Sequence, residues 1–314
     1  MEQYSEQLKQ IIREVSRVII GKEDVVRKVL MSMLVSGHVL IEDIPGVGKT
    51  TLALAFSKTM RLEYQRVQFT PDVLPSDVVG FSVLNQHNEL EYKQGAVLCN
   101  LFLADEINRT SPKTQSALLE VMEEGTVTLD GNTWEVPKPF MVIATQNPIT
   151  SIGTQLLPES QLDRFMIRLS MGYPAPEQEM QLLKDRHSSN PLEQIREVIS
   201  IEQLLEIQKR VEQVYVHDAI YMYITKLMHA TRNHPCLEIG VSPRGGIALT
   251  AMAKACAFLN GREYVIPEDV ESQFVDVCAH RVVLSQKAKM SHTNENGVLQ
   301  EILKSTEKPA LERR

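Results

Sequence analysis

The sequence predicts an α/β fold with a largely parallel central sheet. Short apolar stretches ("HVLIE", "YQRVQF", "NLFLADE", "PFMVIAT" and "RFMIRLS") alternate with segments of helical periodicity. A glycine-rich loop joins the first of them directly to the helix "TTLALAFSKTM", and after "MGYPAPEQE" the pattern changes to helices only. An α/β core is therefore expected up to about Gly172, followed by a smaller all-helical domain.

Residues 5–35 carry apolar positions at helical spacing. Leu8, Ile11, Ile12, Val15, Val18 and Ile19 lead to a break at Gly21, and the pattern resumes through Val25, Val26, Val29, Leu30, Met33 and Leu34, giving two helices with a tight turn. In "TSPKTQSALLEVMEEG", Ser111 can cap a helix, Pro112 suits its first turn and Gly125 stops it. The segments 81–95 ("FSVLNQHNELEYKQG") and 126–137 ("TVTLDGNTWEVP") each read as strand, polar turn, strand, the second around Asp130-Gly131. They predict two β-hairpins inserted in the core. Beyond the boundary, helices are expected over 176–187, 201–213, 217–232, 243–260 and 267–284. From about Lys287 the chain is polar, with "GVLQEILKS" as one more short helix.

Composition narrows the function. With 314 residues, 43% of them hydrophobic, the chain can bury a large core and form two domains. A net charge of -7 argues against a chain whose main task is neutralising nucleic-acid phosphates or anionic lipid. Cys99, Cys236, Cys256 and Cys278 form no CxxC pair, and His234 lacks ligand spacing, so four reduced thiols are expected rather than a zinc site. The N-terminus has no apolar run of signal or membrane length, which makes a cytoplasmic location without direct membrane insertion the default.

The chemistry concentrates in three strand ends. In "PGVGKTT", Gly46 and Gly48 let backbone N–H groups curl around phosphate oxygens, Lys49 reaches the outer phosphates, and the Thr50 hydroxyl can ligate Mg2+. "NLFLADE" ends in Asp105 and Glu106. In a parallel sheet both carboxylates emerge beside the loop, where Asp105 can hold the metal through water and Glu106 can polarise an attacking water. "IATQNP" brings Asn147 to the same edge, either to orient water or the terminal phosphate, or only to cap a turn before Pro148. Arg164, in "LPESQLDRF", either pairs with Asp163 or points at a neighbour's nucleotide. Arg244, in "GVSPRGG", opens a helix, where a positive charge opposes the helix dipole and invites an anion.

Together, "EDIPGVGKTTLA", "NLFLADEINRTSPKTQSALLEVMEEG", "VIATQNP", "LPESQLDRF" and "GVSPRGG" resemble the MoxR family of AAA+ ATPases in order and spacing across roughly residues 10–285. The resemblance implies an αβα phosphate-loop core over 1–172, a helical lid over 173–286, a tail over 287–314, and a homo-oligomeric ring, usually a hexamer, with ATP between subunits. It casts Pro45, Gly46, Val47, Gly48, Lys49, Thr50 and Thr51 as the nucleotide loop and Ile20-Gly21 as the segment against the adenine. Lys49, Thr50, Asp105 and Glu106 resemble the Walker A and B residues. Asn147 resembles sensor 1, Arg164 the arginine finger and Arg244 sensor 2. The hairpins are similar to the helix-2 and pre-sensor 1 inserts.

Three positions depart from that pattern. Asp43 stands where such a loop opens with glycine; aspartate tolerates positive φ, so the turn is expected to survive, with electrostatic repulsion of the phosphates unless the carboxylate is paired or turned away. Thr154-Gln155-Leu156 replaces a family aromatic, and Gly245-Gly246 is expected to loosen the start of its helix. The resemblance also implies remodelling or maturation of partner proteins, often with von Willebrand A domains, driven by hydrolysis of ATP to ADP. The alternatives are a nucleic-acid motor and a nucleotide-gated scaffold. The hairpin turns Gln86-His87-Asn88-Glu89 and Asp130-Gly131-Asn132 carry no lysine or arginine to grip a backbone, which favours a protein client over nucleic acid.

Overall fold

The computed structural model describes residues 2–147, 157–188 and 191–309. The chain opens with α1 (Glu2–Ser16) and α2 (Glu23–Leu34), then β1 (Val39–Glu42), α3 (Lys49–Thr59) and β2 (Tyr64–Gln68). A short α4 (Pro75–Val79) leads into the hairpin β3 (Gly80–Leu84) and β4 (Leu90–Gln94), followed by β5 (Leu101–Asp105) and α5 (Pro112–Glu124). The second hairpin, β6 (Thr126–Leu129) and β7 (Asn132–Glu135), precedes β8 (Met141–Gln146), α6 (Glu159–Leu162) and β9 (Ile167–Leu169). Beyond them lie α7 (Pro176–Ser188), α8 (Ile201–Glu212), α9 (Asp218–Arg232), β10 (Leu237–Ile239), α10 (Pro243–Leu259), α11 (Pro267–Cys278), β11 (Val283–Leu284), α12 (Gln286–Met290) and α13 (Glu295–Ser305).

The central sheet has the order β2-β5-β8-β1-β9 with every neighbouring pair parallel. Its apolar runs are buried on both faces, as a sheet covered by helices on each side requires. Alternate side chains divide between two cores. Val39, Ile41, Leu101, Leu103, Met141 and Ile143 pack with α1, α2, α3 and the C-terminal helices, whereas Leu40, Phe102, Ala104, Val142 and Ala144 pack under α5. Both inserted hairpins form, and the Tyr92 and Trp134 rings stack at 4.0 Å between centroids, so one hairpin braces the other.

Two expectations change. The C-terminal part is not helical throughout, because β10 and β11 form an antiparallel ladder. The helix expected over 267–284 accordingly ends at Cys278. The cause is Arg281, whose buried guanidinium binds the Asp163 carboxylate at 2.7 Å and the carbonyls of Asp163, Phe165 and Met166, pinning the chain to the start of β9. The polar stretch after Lys287 contributes α13, which buries Val298, Leu299 and Ile302. Thr154, Gln155 and Leu156 lie outside the described residues. All four cysteines are free thiols.

Parallel strands give the sheet two unlike edges. Glu42, Gln68, Asp105 and Gln146 end their strands at one; Val39, Tyr64, Leu101 and Met141 begin theirs at the other. Helix α5 starts after β5 at the first edge and returns to the second, its thirteen residues spanning about 20 Å.

Candidate functional site

At the C-terminal edge, the chain leaves β1 and turns into α3 through the phosphate-type loop. Gly46 (φ +86°) and Gly48 (φ +95°) occupy the left-handed region, and Gly48 is the residue that starts α3. A side chain at Gly46 would meet nothing within 4 Å, so the backbone faces open space. The cavity there measures about 370 Å³ and is lined by Pro45, Gly46, Gly48, Lys49, Thr50, Thr51, Arg66, Gln68, Asp105 and Glu106. Left-handed glycines, a helix N-terminus and a buried lysine suit a polyphosphate. Lys49 is buried, its Nζ donating to the Asp43 carbonyl at 2.7 Å. Burial pulls its pKa below the ordinary lysine value, against the opposing charges of Asp43, Asp105 and Glu106.

The carboxylates are held rather than loose. Asp105 Oδ1 accepts from the Thr145 hydroxyl at 2.6 Å and Oδ2 from Arg66 at 2.7 Å. Glu106 Oε2 accepts from Arg109 at 2.7 Å and from the Gln68 amide at 3.0 Å. Glu106 itself adopts φ +57°, a left-handed conformation that costs a non-glycine residue energy, while its N–H donates to Thr145 at 2.8 Å. The strained residue is the acid that follows β5, and its side chain is held by Arg109 and Gln68. Asn147 follows β8 at the same edge, its carbonyl accepting from Asn108 at 3.2 Å. The turn at Ile20-Gly21 is closed by α7: a side chain on Gly21 (φ +75°) would lie 2.1 Å from Gln178, and Lys22 donates to the Tyr173 carbonyl at 2.9 Å. Ile19 borders Gly48, placing Ile20-Gly21 beside the loop.

Asp43 does not use the positive φ that its residue type allows, since it is absent from the left-handed residues of the chain. Its carboxylate is buried and turned away from the loop. Oδ2 accepts from the N–H groups of Met171 and Gly172, each at 2.6 Å, and from the Ser170 hydroxyl at 3.1 Å, while Oδ1 accepts from the Ile44 N–H at 2.9 Å. Burial by itself would raise its pKa, but these donors outweigh burial and hold it below the usual value. The carboxylate is thus held ionised by neutral donors, most of them from residues 170–172 rather than from the loop.

The two arginines lie elsewhere. Arg164 pairs with Glu123 at 3.1 Å, and Arg244 pairs with the same carboxylate through its other oxygen. The local pairing of Arg164 with Asp163 does not occur, because Arg281 and Ser242 occupy Asp163. Glu123 is in the last turn of α5, and the surrounding cavity of about 340 Å³ includes Gly37 and His38, just before β1, and Met166, just before β9. This is the N-terminal edge, so neither arginine shares a cavity with Lys49 of its own chain. Burial lowers the pKa of His38 to about 4 against the raising effect of its bond to Met122, and accepting from the Val142 N–H fixes a neutral ring beside the arginines. Gly245 and Gly246 do not loosen α10: Ser242 caps it, and a side chain on Gly245 would lie 2.3 Å from Val241.

Sequence reasoning missed Arg66, Gln68, Thr145, Arg109 and Glu123. Three of these left a signal. Arg66 and Gln68 alternate on a strand, placing two polar side chains on one face next to "NLFLADE". Glu123 ends a helix, where a negative charge opposes the dipole just as Arg244 does at a helix start, and the two misplaced charges answer each other.

Residues 38–167 match the model of the ATPase family associated with various cellular activities (AAA), and residues 229–302 match an AAA lid domain. The fold and loop therefore define an AAA+ ATPase, whose reaction is hydrolysis of ATP. The chain is 46% identical over 299 residues to YeaC, an uncharacterised Bacillus subtilis protein, covering 95% of this chain and 93% of that one. It is 38% identical over 314 residues to the chaperone MoxR1 of Mycobacterium tuberculosis, covering 97% and 83%. A crystal structure from Cytophaga hutchinsonii superposes with a TM-score of 0.91 at 36% identity, covering 98% and 96%. The chain belongs to the MoxR family of AAA+ ATPases.

Proposed function

We propose that this ATPase works as a ring, a hexamer by family resemblance, in which each active site is completed by the next subunit and hydrolysis remodels a partner protein. The observation that carries this reading is the separation of Lys49, Asp105 and Glu106 from Arg164 and Arg244 on opposite edges of one sheet. A head-to-tail contact brings one edge against the other, and a repeated heterologous contact closes a ring.

In this reading, Pro45 through Thr51 cradle the phosphates and Ile20-Gly21 borders the base, with α7 behind it. Lys49 exchanges the Asp43 carbonyl for the outer phosphate oxygens. Thr50 and Asp105 are the residues that would hold Mg2+, which supplies charge neutralisation on the phosphates. Glu106 takes the proton of the attacking water as the bond to the ADP oxygen breaks, and Asn147 orients that water. Arg164 and Arg244 of the neighbouring subunit then exchange Glu123 for the charge developing on the γ-phosphate. The chain divides near Gly172, whose N–H is tied to Asp43, so the loop and the start of the lid are mechanically linked.

A protein client is supported by the braced hairpins, where Phe81, Leu84 and Leu90 are exposed apolar side chains. Such a surface suits an unfolded or docked polypeptide better than a phosphate backbone. A partner with a von Willebrand A domain is the first to test, by its effect on steady-state phosphate release. The shared site is tested by mixing subunits. Arg164→Ala and Glu106→Gln proteins should each be nearly inactive, while mixed rings should regain part of the activity. No recovery in rings shown independently to be mixed would remove the shared site.

A further inference from the structure

A cavity of about 670 Å³ lies outside the site just described. It is a groove between the end of α2, the end of α8, and helices α9 and α10, floored by Leu34, Val211, Ile224 and Met228. Its lip carries Ile247, which is 72% exposed. Val35, Ser36, Ile247 and Ala251 line both this groove and the cavity of Arg164 and Arg244, so the two form one continuous surface at the N-terminal edge. An exposed apolar groove flanking charged residues fits a docking surface better than a solvated face.

A matching element stands at the other edge. Helix α7 starts beside Gly21 and Gly172, next to the nucleotide loop, and carries Pro176, Met180 and Leu183 at positions i, i+4 and i+7. Met180 is 51% and Leu183 65% exposed, and Tyr173, just ahead of the helix, is 77% exposed. The charges complement at one end of the strip. The first turn of α7 bears Glu177 and Glu179, with Lys184 beside Leu183 further along, whereas the groove contributes Arg232 and Lys254, which donate to the carbonyls of Val241 and Glu212, and one acid, Glu212. Strip and groove lie at opposite edges of the sheet, so they can meet only between two chains.

We infer that the α9/α10 groove receives the apolar strip of α7 from a second copy of this chain. The inference rests on the shared-site reading and deepens it: the neighbour whose arginines reach the nucleotide also grips the helix that closes the adenine segment. Docking of α7 presses its first turn onto Ile20-Gly21, so nucleotide binding and subunit contact stabilise each other. The mode is a helix laid into an apolar groove with anchors one turn apart.

The test uses full-length protein with a photo-crosslinking phenylalanine analogue at Leu183, mixed with isotopically heavy unmodified chain and ATP. Crosslinks from light to heavy chain, mapped to α9 or α10, are the expected result. Crosslinks that fall elsewhere, or none, while Arg164→Ala and Glu106→Gln subunits still complement each other, would overturn the docking and leave the shared site standing. Groove crosslinks without complementation would do the reverse. Leu183→Glu and Ile247→Glu should each raise the concentration for half assembly about tenfold or more, as loss of an interface anchor does, with an unchanged melting temperature. If Ile247→Glu leaves assembly intact and abolishes only partner-stimulated turnover, the groove belongs to a partner protein and the inference fails.

Discussion

At the C-terminal edge of the sheet, the charged groups that line the loop cavity have local partners: Lys49 the Asp43 carbonyl, Asp105 Thr145 and Arg66, Glu106 Arg109 and Gln68. At the N-terminal edge, two arginines share the one carboxylate of Glu123, leaving an excess of positive charge at a half-exposed surface. The first edge is organised for a ligand that enters from solvent. The second is organised around a replaceable anion, and a phosphate bearing more charge than one carboxylate can compete for it. The difference teaches that one chain carries the loop lysine and acids in one cavity and the paired arginines in another, and that under the proposed function only a second chain brings the two together.

The comparison is broken most severely by Arg164→Ala. Turnover should fall on the order of 10³-fold or more with nucleotide affinity little changed, measured by phosphate release alongside equilibrium binding. An equal loss in both quantities would assign Arg164 to binding. Glu106→Gln acts at the other edge, where a loss of about 10² to 10⁴ in turnover with retained binding is expected, because the amide keeps the shape and cannot take a proton. Hydrolysis at the parental rate would exclude Glu106 as the base.

Smaller effects sharpen the contrast. Glu123→Gln frees both arginines from an ionic partner, so ATP-dependent assembly should occur at lower protein concentration by a few-fold, the worth of about 1 kcal/mol. Assembly needing more protein would show that Glu123 positions the arginines instead of competing for them. Asp43→Gly tests the first edge in the opposite sense. Removing a paired carboxylate should weaken nucleotide binding and cost roughly 1–3 kcal/mol of stability; tighter binding at low salt would restore the repulsion expected from the sequence. The pH dependence has a defined sign. Because folding lowers the Asp43 pKa, its stabilisation is present above the unfolded value and is lost as pH falls through the folded one. The stability gap between the parent and Asp43→Asn should therefore close below the usual carboxylate range, as followed by thermal melts.

What could be read in the sequence were features with local causes. The order of strands and helices, both hairpins, the capped helix of Ser111 and Pro112, and the loop from Pro45 to Thr51 depend on periodicity, caps and glycine conformations fixed by neighbours in the chain. Asp105 and Glu106 could be placed beside that loop because parallel strands deliver their ends to a common edge. The end of α11 could not be read: its apolar pattern continues through residue 284, and only the distant pairing of Arg281 with Asp163 turns the chain at Cys278. The fate of Asp43 likewise depends on N–H groups 128 and 129 residues away.

The sequence by itself determined the fold class, the nucleotide loop and the two acids, because short-range sterics and the period of apolar residues act before any tertiary contact exists. Only the tertiary structure decided where the charges point: Asp43 toward the Met171 and Gly172 N–H groups, Asp163 to Arg281, and Arg164 and Arg244 to Glu123, across the sheet from Lys49. A buried or half-buried charge must find an opposite charge or a donor, and residue spacing does not say which of several candidates the folded chain brings within 3 Å.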